Sequence, residues 1–441
     1  NVLWVTDNYP IPLSGRDDGV PDFSGRITKI TLDEGDAFSA TAEAYVTGLP
    51  RSNGDHVTNS LEFRANPEYN ADTNPDVPSH LLYLVQGSNS AMGEVDSAWG
   101  MRPERLLNAT VLEIDPTRDA PEGGFDVSTE PLPDNGLNRR FEDNDGDLKN
   151  DPIPMGNDQF LVFAENGTAT VQDASGNIIE NYYDPFADDA VVKVFATGVR
   201  NAYDLVWHSN GNLYVPTNGS AAGGNVPNPS TPQSEYQGNV EKQDDYLFTV
   251  SEGGYYGHPN PLHDHFILNG GNPTSGNDTN QVGNYPVGQQ PDPDYDFEGV
   301  YSLGENRSPN GATEYTSSVF GGNLQGSVLF TEYSGGDDIR SITFDAAGNI
   351  TGDEVLRDVN GNVITYIDPL DIIENPATGQ LYLLTLNRNN GQSQIIRLDP
   401  APGGVIVDPE EPEEPGEELV SLFAIQAEDN TPNDGTSVSA A

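Results

Sequence analysis

A histidine beside a carboxylate is the first feature of the sequence that could carry out chemistry. His56 follows Asp55 in the segment Gly48-Leu-Pro-Arg-Ser-Asn-Gly-Asp-His56, directly before a predicted strand. An imidazole held by a carboxylate can act as a general base near neutral pH. The same pair is also compatible with an ordinary turn that caps a strand. The residues alone therefore leave a catalytic and a purely structural interpretation open.

A second candidate site is rich in aspartate. Asp143, Asp145 and Asp147 stand at alternate positions, Gly146 allows the chain to bend, and Asp151 follows. Carboxylates at this spacing are typical of calcium-binding loops. The glycine after the third aspartate and the final bidentate glutamate of such loops are missing. The segment is therefore either a calcium site that orders a loop or a solvated acidic turn.

Three histidines form a third candidate. His258, His263 and His265 lie close together in the sequence, with Asp264 between the last two. Imidazoles at this spacing can bind a transition metal. The alternative is that the segment is a structural corner of the fold, so again two interpretations remain.

These residues are distributed over a pattern of short strands that repeats along the chain. The clearest copy combines residues 202–207, a turn at 208–211 and residues 212–215; other copies begin at Asn59, Thr313 and Pro369. Alternation of apolar and polar residues between Asn-Gly, Ser-Gly and Asp-Gly turns indicates antiparallel strands. Repetition without a helical pattern favours an all-β fold, a β-propeller of four-stranded antiparallel blades, over a two-sheet sandwich.

The composition changes near residue 400. We expect residues 1–400 to form the propeller, whose first blade has only residues 2–6 and 25–32 and is either incomplete or completed by C-terminal strands. Residues 401–418 are an acidic, proline-rich linker. Residues 419–441 contain Ile-Gln-Ala-Glu-Asp, which resembles the first strand of a carbohydrate-binding β-sandwich module. We therefore expect this chain to belong with other domains of one polypeptide.

The charge limits the possible partners. There are 19 Lys and Arg against 70 Asp and Glu, a net charge of -51. A surface this negative repels nucleic acid and anionic lipid, and it stays soluble at high salt, where its self-repulsion is screened. No apolar run is long enough to span a membrane, and without cysteine there is no disulfide. We expect a secreted protein, extracellular or periplasmic, from a marine or otherwise saline setting.

The order of several motifs resembles that of a known enzyme family. Over roughly residues 52–400 the chain resembles the sugar dehydrogenases that depend on pyrroloquinoline quinone (PQQ), the glucose/sorbosone dehydrogenase family. The motifs are Gly-Asp-His-x-x-Asn-Ser-Leu-Glu-Phe around His56, Leu-Val-Gln-Gly-Ser-Asn ending at Asn89, Thr-Gly-Val-Arg-Asn around Arg200, Asp-Asp-Tyr-Leu-Phe-Thr-Val from Asp244, Ser-Pro-Asn-Gly-Ala-Thr from Ser308 and Pro-Leu-Asp-Ile-Ile from Pro369. The resemblance implies a six-bladed propeller with the quinone at the mouth of its channel.

The resemblance also implies roles for individual residues. His56 would take the proton from the anomeric hydroxyl of the sugar as hydride leaves for the quinone, and Asp55 would orient it. Arg200 and Asn201 would contact the quinone, and Asn89 stands where the family has a glutamine beside it.

A calcium ion is implied as well. It would polarise the quinone from the loop of Asn218 and Gly219, where backbone carbonyls would hold it.

The chain departs from the family in having fewer basic residues at the expected cofactor site. PQQ carries three carboxylates, which a tight site pairs with Arg or Lys. Two segments that are basic in the family, residues 332–336 and 365–369 here, contain neither. One hypothesis is a PQQ- and calcium-dependent dehydrogenase that oxidises an aldose or a sugar unit. The second is a non-catalytic propeller that binds glycans or partners, and a third is a metal-dependent hydrolase or lactonase on a similar propeller.

Overall fold

The chain folds almost entirely into short strands. The computed structural model describes residues 2–10, 17, 19–33, 39–130, 151–220, 222–227, 236–240, 242–266, 268, 294–358, 360–386 and 392–400. Within these ranges the helical elements are single 3₁₀ turns at Ser97–Trp99, Pro261–His263 and Phe297–Gly299. No helix in the described ranges has the length and apolar character that crossing a membrane requires.

The described ranges contain 25 strands. In chain order the strands are β1 (Val2–Asp7), β2 (Gly25–Leu32), β3 (Ala40–Leu49), β4 (Thr58–Ala65), β5 (His80–Gln86), β6 (Thr110–Ile114), β7 (Phe125–Asp126), β8 (Ile153–Gly156), β9 (Gln159–Phe163), β10 (Ala169–Asp173), β11 (Ile178–Asn181), β12 (Val192–Thr197), β13 (Val206–Trp207), β14 (Leu213–Thr217), β15 (Gly224–Pro227), β16 (Tyr236–Val240), β17 (Asp245–Val250), β18 (Val300–Gly304), β19 (Pro309–Tyr315), β20 (Ser327–Glu332), β21 (Asp338–Phe344), β22 (Ile350–Val355), β23 (Pro369–Glu374), β24 (Leu381–Thr385) and β25 (Gln394–Leu398).

Five sheets follow one another along the chain. Their strand orders are β1-β2-β3-β7, β4-β5-β6-β12, β13-β14-β17-β18, β19-β20-β21-β22 and β23-β24-β25. The neighbouring strands are antiparallel, except that β7 pairs parallel with β3. The prediction of an all-β chain built from four-stranded antiparallel sheets is therefore confirmed, with one parallel exception.

The sheets pack side by side as the blades of a propeller do. The first strand of each sheet contacts that of the next, from β1 to β4, β13, β19 and β23. Each of these four junctions has its own apolar core, represented in order by Leu82, Phe248, Phe330 and Ile372. Successive inner strands with a separate core at each junction are the geometry of propeller blades.

The ends and insertions differ from the sequence-based expectation. The first sheet contains a third long strand, β3, which the alternation pattern did not indicate. Residues 153–181 form an additional four-stranded sheet, β8 to β11, with its own small core around Ile153 and Val171. The hairpin β15-β16 is a second insertion. Neither insertion was predicted, because their strands have only four or five residues each and do not repeat the pattern of the other copies.

Candidate functional site

Four segments that follow or precede blade strands meet at one end of the sheets. His56 comes just before β4, Ser88 just after β5, Arg200 just after β12, and Gly219 just after β14. The backbone N–H of Ser88 donates to the carbonyl of Arg200 at 2.8 Å. The guanidinium of Arg200 in turn donates to the carbonyl of Gly219 at 2.9 Å. The structure therefore brings together the predicted base and the predicted cofactor-binding loops.

The loop that carries His56 is fixed from within. Arg51 is fully buried, and its Nη1 donates to the carbonyls of Ser52 and Gly54 at 2.6 Å each. A Cβ on Gly54 would lie 2.9 Å from the indole of Trp99, so glycine lets that ring approach the loop. The rings of Trp99 and His56 are 4.1 Å apart, and His56 itself is only 2% exposed.

Ser88 is the hydrogen-bond partner of His56. Nδ1 of His56 lies 2.8 Å from Oγ of Ser88 and 3.2 Å from its carbonyl oxygen. The hydroxyl of Ser88 already donates to the carbonyl of Ser90 at 2.8 Å. A hydroxyl has one hydrogen to donate, so both Ser88 oxygens can only accept from His56. Nδ1 therefore carries the hydrogen, and Nε2 is the unprotonated nitrogen.

His56 is thus held in the tautomer that a general base requires. Nε2 has no hydrogen-bond partner among the described residues. Burial and the charge of Arg200 lower the pKa of His56 well below its usual range. No carboxylate accepts from Nδ1, so nothing offsets that burial with a direct negative charge.

Asp55 does not orient His56, contrary to the expectation from the resemblance. The side chain of Asp55 is exposed, whereas that of His56 is buried. Residues 53–55 form a bend, and Nδ1 of His56 faces Ser88 rather than its sequence neighbour. The negative charge of Asp55 acts on Arg51 and Arg200, where it partly offsets the burial that lowers the pKa of each to about 10.

Glu104 organises the turn that contains Ser88. Its buried carboxylate accepts from the backbone N–H groups of Asn89 at 2.8 Å and Ser90 at 2.9 Å, and also from the hydroxyl of Ser90. Nε2 of His258 lies 3.0 Å from the same carboxylate. His258 therefore belongs to this buried network, and its Nδ1 is buried without a hydrogen-bond partner in the described chain.

Asn89 is not placed to meet a ligand in this conformation. It is fully buried, and its Nδ2 donates to the carbonyl of Pro103 at 2.9 Å. Its side-chain oxygen is buried and has no partner among the described residues. A residue that contacts a cofactor needs an accessible polar atom, so the predicted role of Asn89 would require the turn to move.

Arg200 and its neighbours form a compact polar unit. Arg200 is 8% exposed. Its Nε donates to the carbonyl of Ala91 at 2.7 Å, and its Nη1 donates to the carbonyls of Asn218 at 3.3 Å and Gly219 at 2.9 Å. The carbonyl of Asn201 accepts from the backbone and side chain of Asn218 at 2.9 and 3.2 Å. The side-chain oxygen of Asn201 is buried without a partner in the described ranges.

Asp245 links this unit to the next blade. Its carboxylate accepts from the backbone N–H groups of Gly219, Arg307 and Ser308 at 2.8, 2.6 and 2.7 Å. A Cβ on Gly219 would lie 1.9 Å from the carbonyl of Asp244, so only glycine fits this position. The loop of Arg307 is thereby fixed next to the loop that holds Arg200.

The other arginines near the site face carboxylates. Arg105 pairs with Asp22 and Glu130, and Arg340 pairs with Glu332 and Asp353. Arg307 differs because its side chain is 37% exposed and its Nη1 lies 3.7 Å from the carboxylate of Glu332. Among these arginines it is the most accessible cation.

The predicted calcium loop falls mainly outside the described residues. Asp143, Asp145 and Asp147 lie in the segment 131–150, which is not described, and Asp151 is partly buried just before β8. Within the described chain no cluster of three or more His, Cys, Asp or Glu side chains is arranged to hold a metal ion.

The three histidines of the third candidate are separated by their contacts. His258 faces Glu104, whereas Nε2 of His263 lies 2.7 Å from the carbonyl of Leu106. The ring of His265 stacks on Tyr255 at 4.0 Å. The segment is a structural corner, the second of the two interpretations.

Three residues of the site were not predicted from the sequence, namely Ser88, Trp99 and Glu104, and His258 was predicted only as a possible metal ligand. Ser88 lies inside a motif that we recognised, but its contact with His56 joins the ends of two strands of one blade. For Trp99 the only signal is a tryptophan in a glycine-rich loop. Glu104 carries no signal, because one glutamate in an acidic chain is unremarkable in sequence.

Comparison with solved structures finds several proteins that match most of this chain at low sequence identity. The PQQ-bound aldose sugar dehydrogenase from Streptomyces coelicolor shares 14% identity over 86% of this chain and 74% of its own, with a TM-score of 0.39. The calcium structure of a Trichoderma reesei carbohydrate-active enzyme of family AA12 shares 12% over 88% and 79%, with a TM-score of 0.42. The holo PQQ domain of a Coprinopsis cinerea pyranose dehydrogenase shares 11% over 89% and 80%, with a TM-score of 0.39.

These structures are of the same class as the family that the motifs resemble. No protein-family model matches the chain, and no curated protein matches it. At these identities and TM-scores, the ligands and activities of the three proteins are not transferred to this chain. The chemistry must therefore be argued from the residues of its own site.

Proposed function

We propose that this chain is a six-bladed type of propeller that oxidises an aldose or a sugar unit with PQQ, and that His56 is its general base. The observation that carries the proposal is the state of His56. Nδ1 is committed to Ser88, and Nε2 is unprotonated and has no partner among the described residues. A buried imidazole in this state is ready to accept a proton.

The chemistry divides between the chain and its cofactor. Oxidation of a sugar hydroxyl removes a proton from oxygen and a hydride from the adjacent carbon. PQQ, when bound, supplies the hydride acceptor. Nε2 of His56 would take the proton while Ser88 keeps the imidazole in register. Because the partner is a neutral hydroxyl, the imidazolium that forms is stabilised less than it would be by a carboxylate.

The residues available fit a planar anionic ligand. The half-buried indole of Trp99 would offer an aromatic face next to His56. The partly exposed side chain of Arg307 would pair with one carboxylate of the quinone. This one cation would take over part of the role of the basic segments that the chain lacks.

A non-catalytic propeller that binds glycans or partners is the second candidate. Two observations favour it: Asn89 is fully buried, and Arg105 and Arg340 are neutralised by carboxylates. The first removes a predicted cofactor contact, and the second reduces the positive charge that a tightly held tricarboxylate needs. In this case the chain would bind sugar at the same mouth without turnover.

Reconstitution with PQQ separates the two candidates. The protein is incubated with PQQ and calcium, and dye reduction is followed with a panel of aldoses. The proposal expects turnover that His56→Ala abolishes while PQQ binding persists. The matched control is His80→Ala, which removes a partly exposed histidine at the start of β5 and should leave turnover unchanged. Absence of PQQ binding at micromolar concentration, together with binding on a glycan array, would establish the second candidate instead.

The pH profile tests the role of Ser88. A low pKa for His56 predicts that kcat/KM keeps its value as the pH falls below the usual range of histidine. Ser88→Asp would place a carboxylate at Nδ1, stabilise the imidazolium and move the acid limb of the profile to higher pH. In Ser88→Ala the backbone carbonyl remains as acceptor for Nδ1, so the acid limb of the profile should not move to higher pH. An unchanged limb in Ser88→Asp would show that Ser88 does not contact the titrating base.

The setting of the enzyme is part of the proposal. The net charge of -51 supports a secreted protein, extracellular or periplasmic, that works in saline water. Residues 401–418 would link the propeller to a carbohydrate-binding module that begins at 419–441. Calcium in the segment from Asp143 to Asp151 would order that loop.

A further inference from the structure

The loop to which the resemblance assigns calcium already contains a positive charge. Three backbone carbonyls, those of Ala91, Asn218 and Gly219, converge on the guanidinium of Arg200 at 2.7, 3.3 and 2.9 Å. The side chain is buried, so these contacts replace water rather than supplement it. The geometry is that of a carbonyl cage closed around a guanidinium.

Negative charge surrounds this cage without forming direct pairs. The carboxylates of Asp55, Asp245 and Glu104 each favour the charged form of Arg200. Burial opposes them and lowers the pKa of Arg200 to about 10. At neutral pH the guanidinium is therefore still cationic. Carbonyl oxygens in contact and carboxylates farther out are also what a calcium ion requires.

A calcium ion and this guanidinium cannot use the same carbonyls. The resemblance to PQQ enzymes assigns calcium to the loop of Asn218 and Gly219. In the structure both carbonyls point at Nη1 of Arg200. A divalent ion beside a buried guanidinium would meet a like charge at low dielectric, where repulsion is strongest. The N–H of Gly219, which shares its peptide group with the carbonyl of Asn218, donates to Asp245, so the Asn218 carbonyl cannot easily turn elsewhere.

We propose that the guanidinium of Arg200 takes the place of the calcium ion at the mouth of this propeller. It would supply the positive charge that faces an oxygen of the quinone or the sugar, and ligand binding at this position would be independent of calcium. The inference deepens the proposed function and rests on it for the identity of the ligand. Occupation of the carbonyls by Arg200 is independent of that identity.

The first test measures PQQ binding with and without calcium. Quenching of tryptophan fluorescence is followed as PQQ is added to the full chain, in excess chelator and in millimolar calcium. A bridging calcium ion would couple the two binding events, typically by about 5- to 150-fold in affinity. The proposal expects a change of no more than about twofold. A larger calcium-dependent gain in the wild-type protein overturns it.

The second test removes the guanidinium. Arg200→Ala opens the carbonyls, so terbium, a luminescent substitute for calcium, should bind there and be sensitised by Trp99, whose ring lies 5.8 Å from the guanidinium. The matched control is Arg64→Ala, which removes the same charge from the ring of Trp207, far in sequence from these carbonyls. The aspartates from Asp143 to Asp151 are present in all these proteins and contribute equally.

The outcomes are distinguishable. A rise in terbium emission in Arg200→Ala above both wild type and Arg64→Ala supports the proposal, and equal emission in all three overturns it. Arg200→Lys keeps a cation in the cage and should bind no more terbium than wild type, which controls for a general loss of structure. If PQQ binds in neither buffer, the proposed function fails, and the terbium comparison still decides whether Arg200 occupies the cation site.

Discussion

Replacing Glu104 by glutamine should destabilise the protein although it changes little in size. The carboxylate accepts hydrogen bonds from Asn89, from the N–H and hydroxyl of Ser90, and from His258. An amide has one acceptor oxygen, and its NH₂ group must face a donor. If the oxygen remains toward Ser90 and His258, the N–H of Asn89 is left against the NH₂ group.

The magnitude follows from this geometry. A buried donor that loses its acceptor costs about 1–3 kcal/mol. The remaining bonds lose their charge assistance, which makes them roughly half as strong. The variant no longer has to bury a charged carboxylate, and this gain offsets part of the loss in stability. We therefore expect Glu104→Gln to lower the free energy of unfolding by about 2–4 kcal/mol.

Urea unfolding followed by tryptophan fluorescence measures this difference. The assay is run at moderate salt, which screens the self-repulsion of a chain with net charge -51. Glu122→Gln is the matched control, because Glu122 is exposed, and its substitution should change the free energy by no more than about 0.5 kcal/mol. A value for Glu104→Gln as small as that of the control would refute the argument that one carboxylate organises the turn.

Two further predictions concern the corner around Tyr255. Gly198 and Gly253 both have a φ of 77°, but a Cβ on Gly198 would lie 2.5 Å from the ring of Tyr255, whereas one on Gly253 would meet nothing within 4 Å. Thermal or urea unfolding should therefore show a loss of about 1–2 kcal/mol for Gly253→Ala and about 1–3 kcal/mol more for Gly198→Ala; equal losses would exclude the clash. Burial lowers the pKa of His265 to about 3, whereas the pKa in the unfolded chain is near 6.5. Between these two values the unfolded chain binds one more proton than the folded chain. The free energy of unfolding therefore falls by about 1.4 kcal/mol for each unit by which the pH is lowered from about 6.5 to about 3. His265→Phe keeps the stacked ring and should remove that contribution from the pH dependence measured between pH 6.5 and pH 4.5; an unchanged slope would contradict it.

The strands of the repeating unit could be read from the sequence because they carry a local signal. The copies that begin at Asn59, Thr313 and Pro369 correspond to β4–β6, β19–β21 and β23–β25. Alternation of period two and turns such as the one closed by Asp345 and Asn349 are visible in single segments. β11 has four residues and is exposed along its whole length, so it shows no alternation of buried and exposed positions that would mark it as a strand. The parallel pairing of β7 with β3 joins segments far apart in sequence and leaves no local trace.

The site could be predicted only in part, for a related reason. Motif order identified His56 and Arg200, and the structure brings their loops together. The partner of His56 was assigned to its sequence neighbour, Asp55, but it comes from the end of the next strand, at Ser88. Asp55 lies in a bend with its side chain exposed, whereas the loops of His56 and Ser88 meet because they stand at the paired ends of β4 and β5. Side-chain contacts between such loops depend on register, which the sequence of either loop alone does not contain.

The arginines of this acidic chain fall into two groups with different consequences. Arg105 and Arg340 are paired with carboxylates, so they add little net charge to their surroundings. Arg51 and Arg200 are buried on carbonyl oxygens and make no ion pair with any described residue. Both lower the pKa of His56, which is also lowered by burial, so their positive charge is felt at its imidazole. Because carbonyl dipoles satisfy their hydrogen bonds without cancelling their charge, these two arginines help to keep His56 unprotonated.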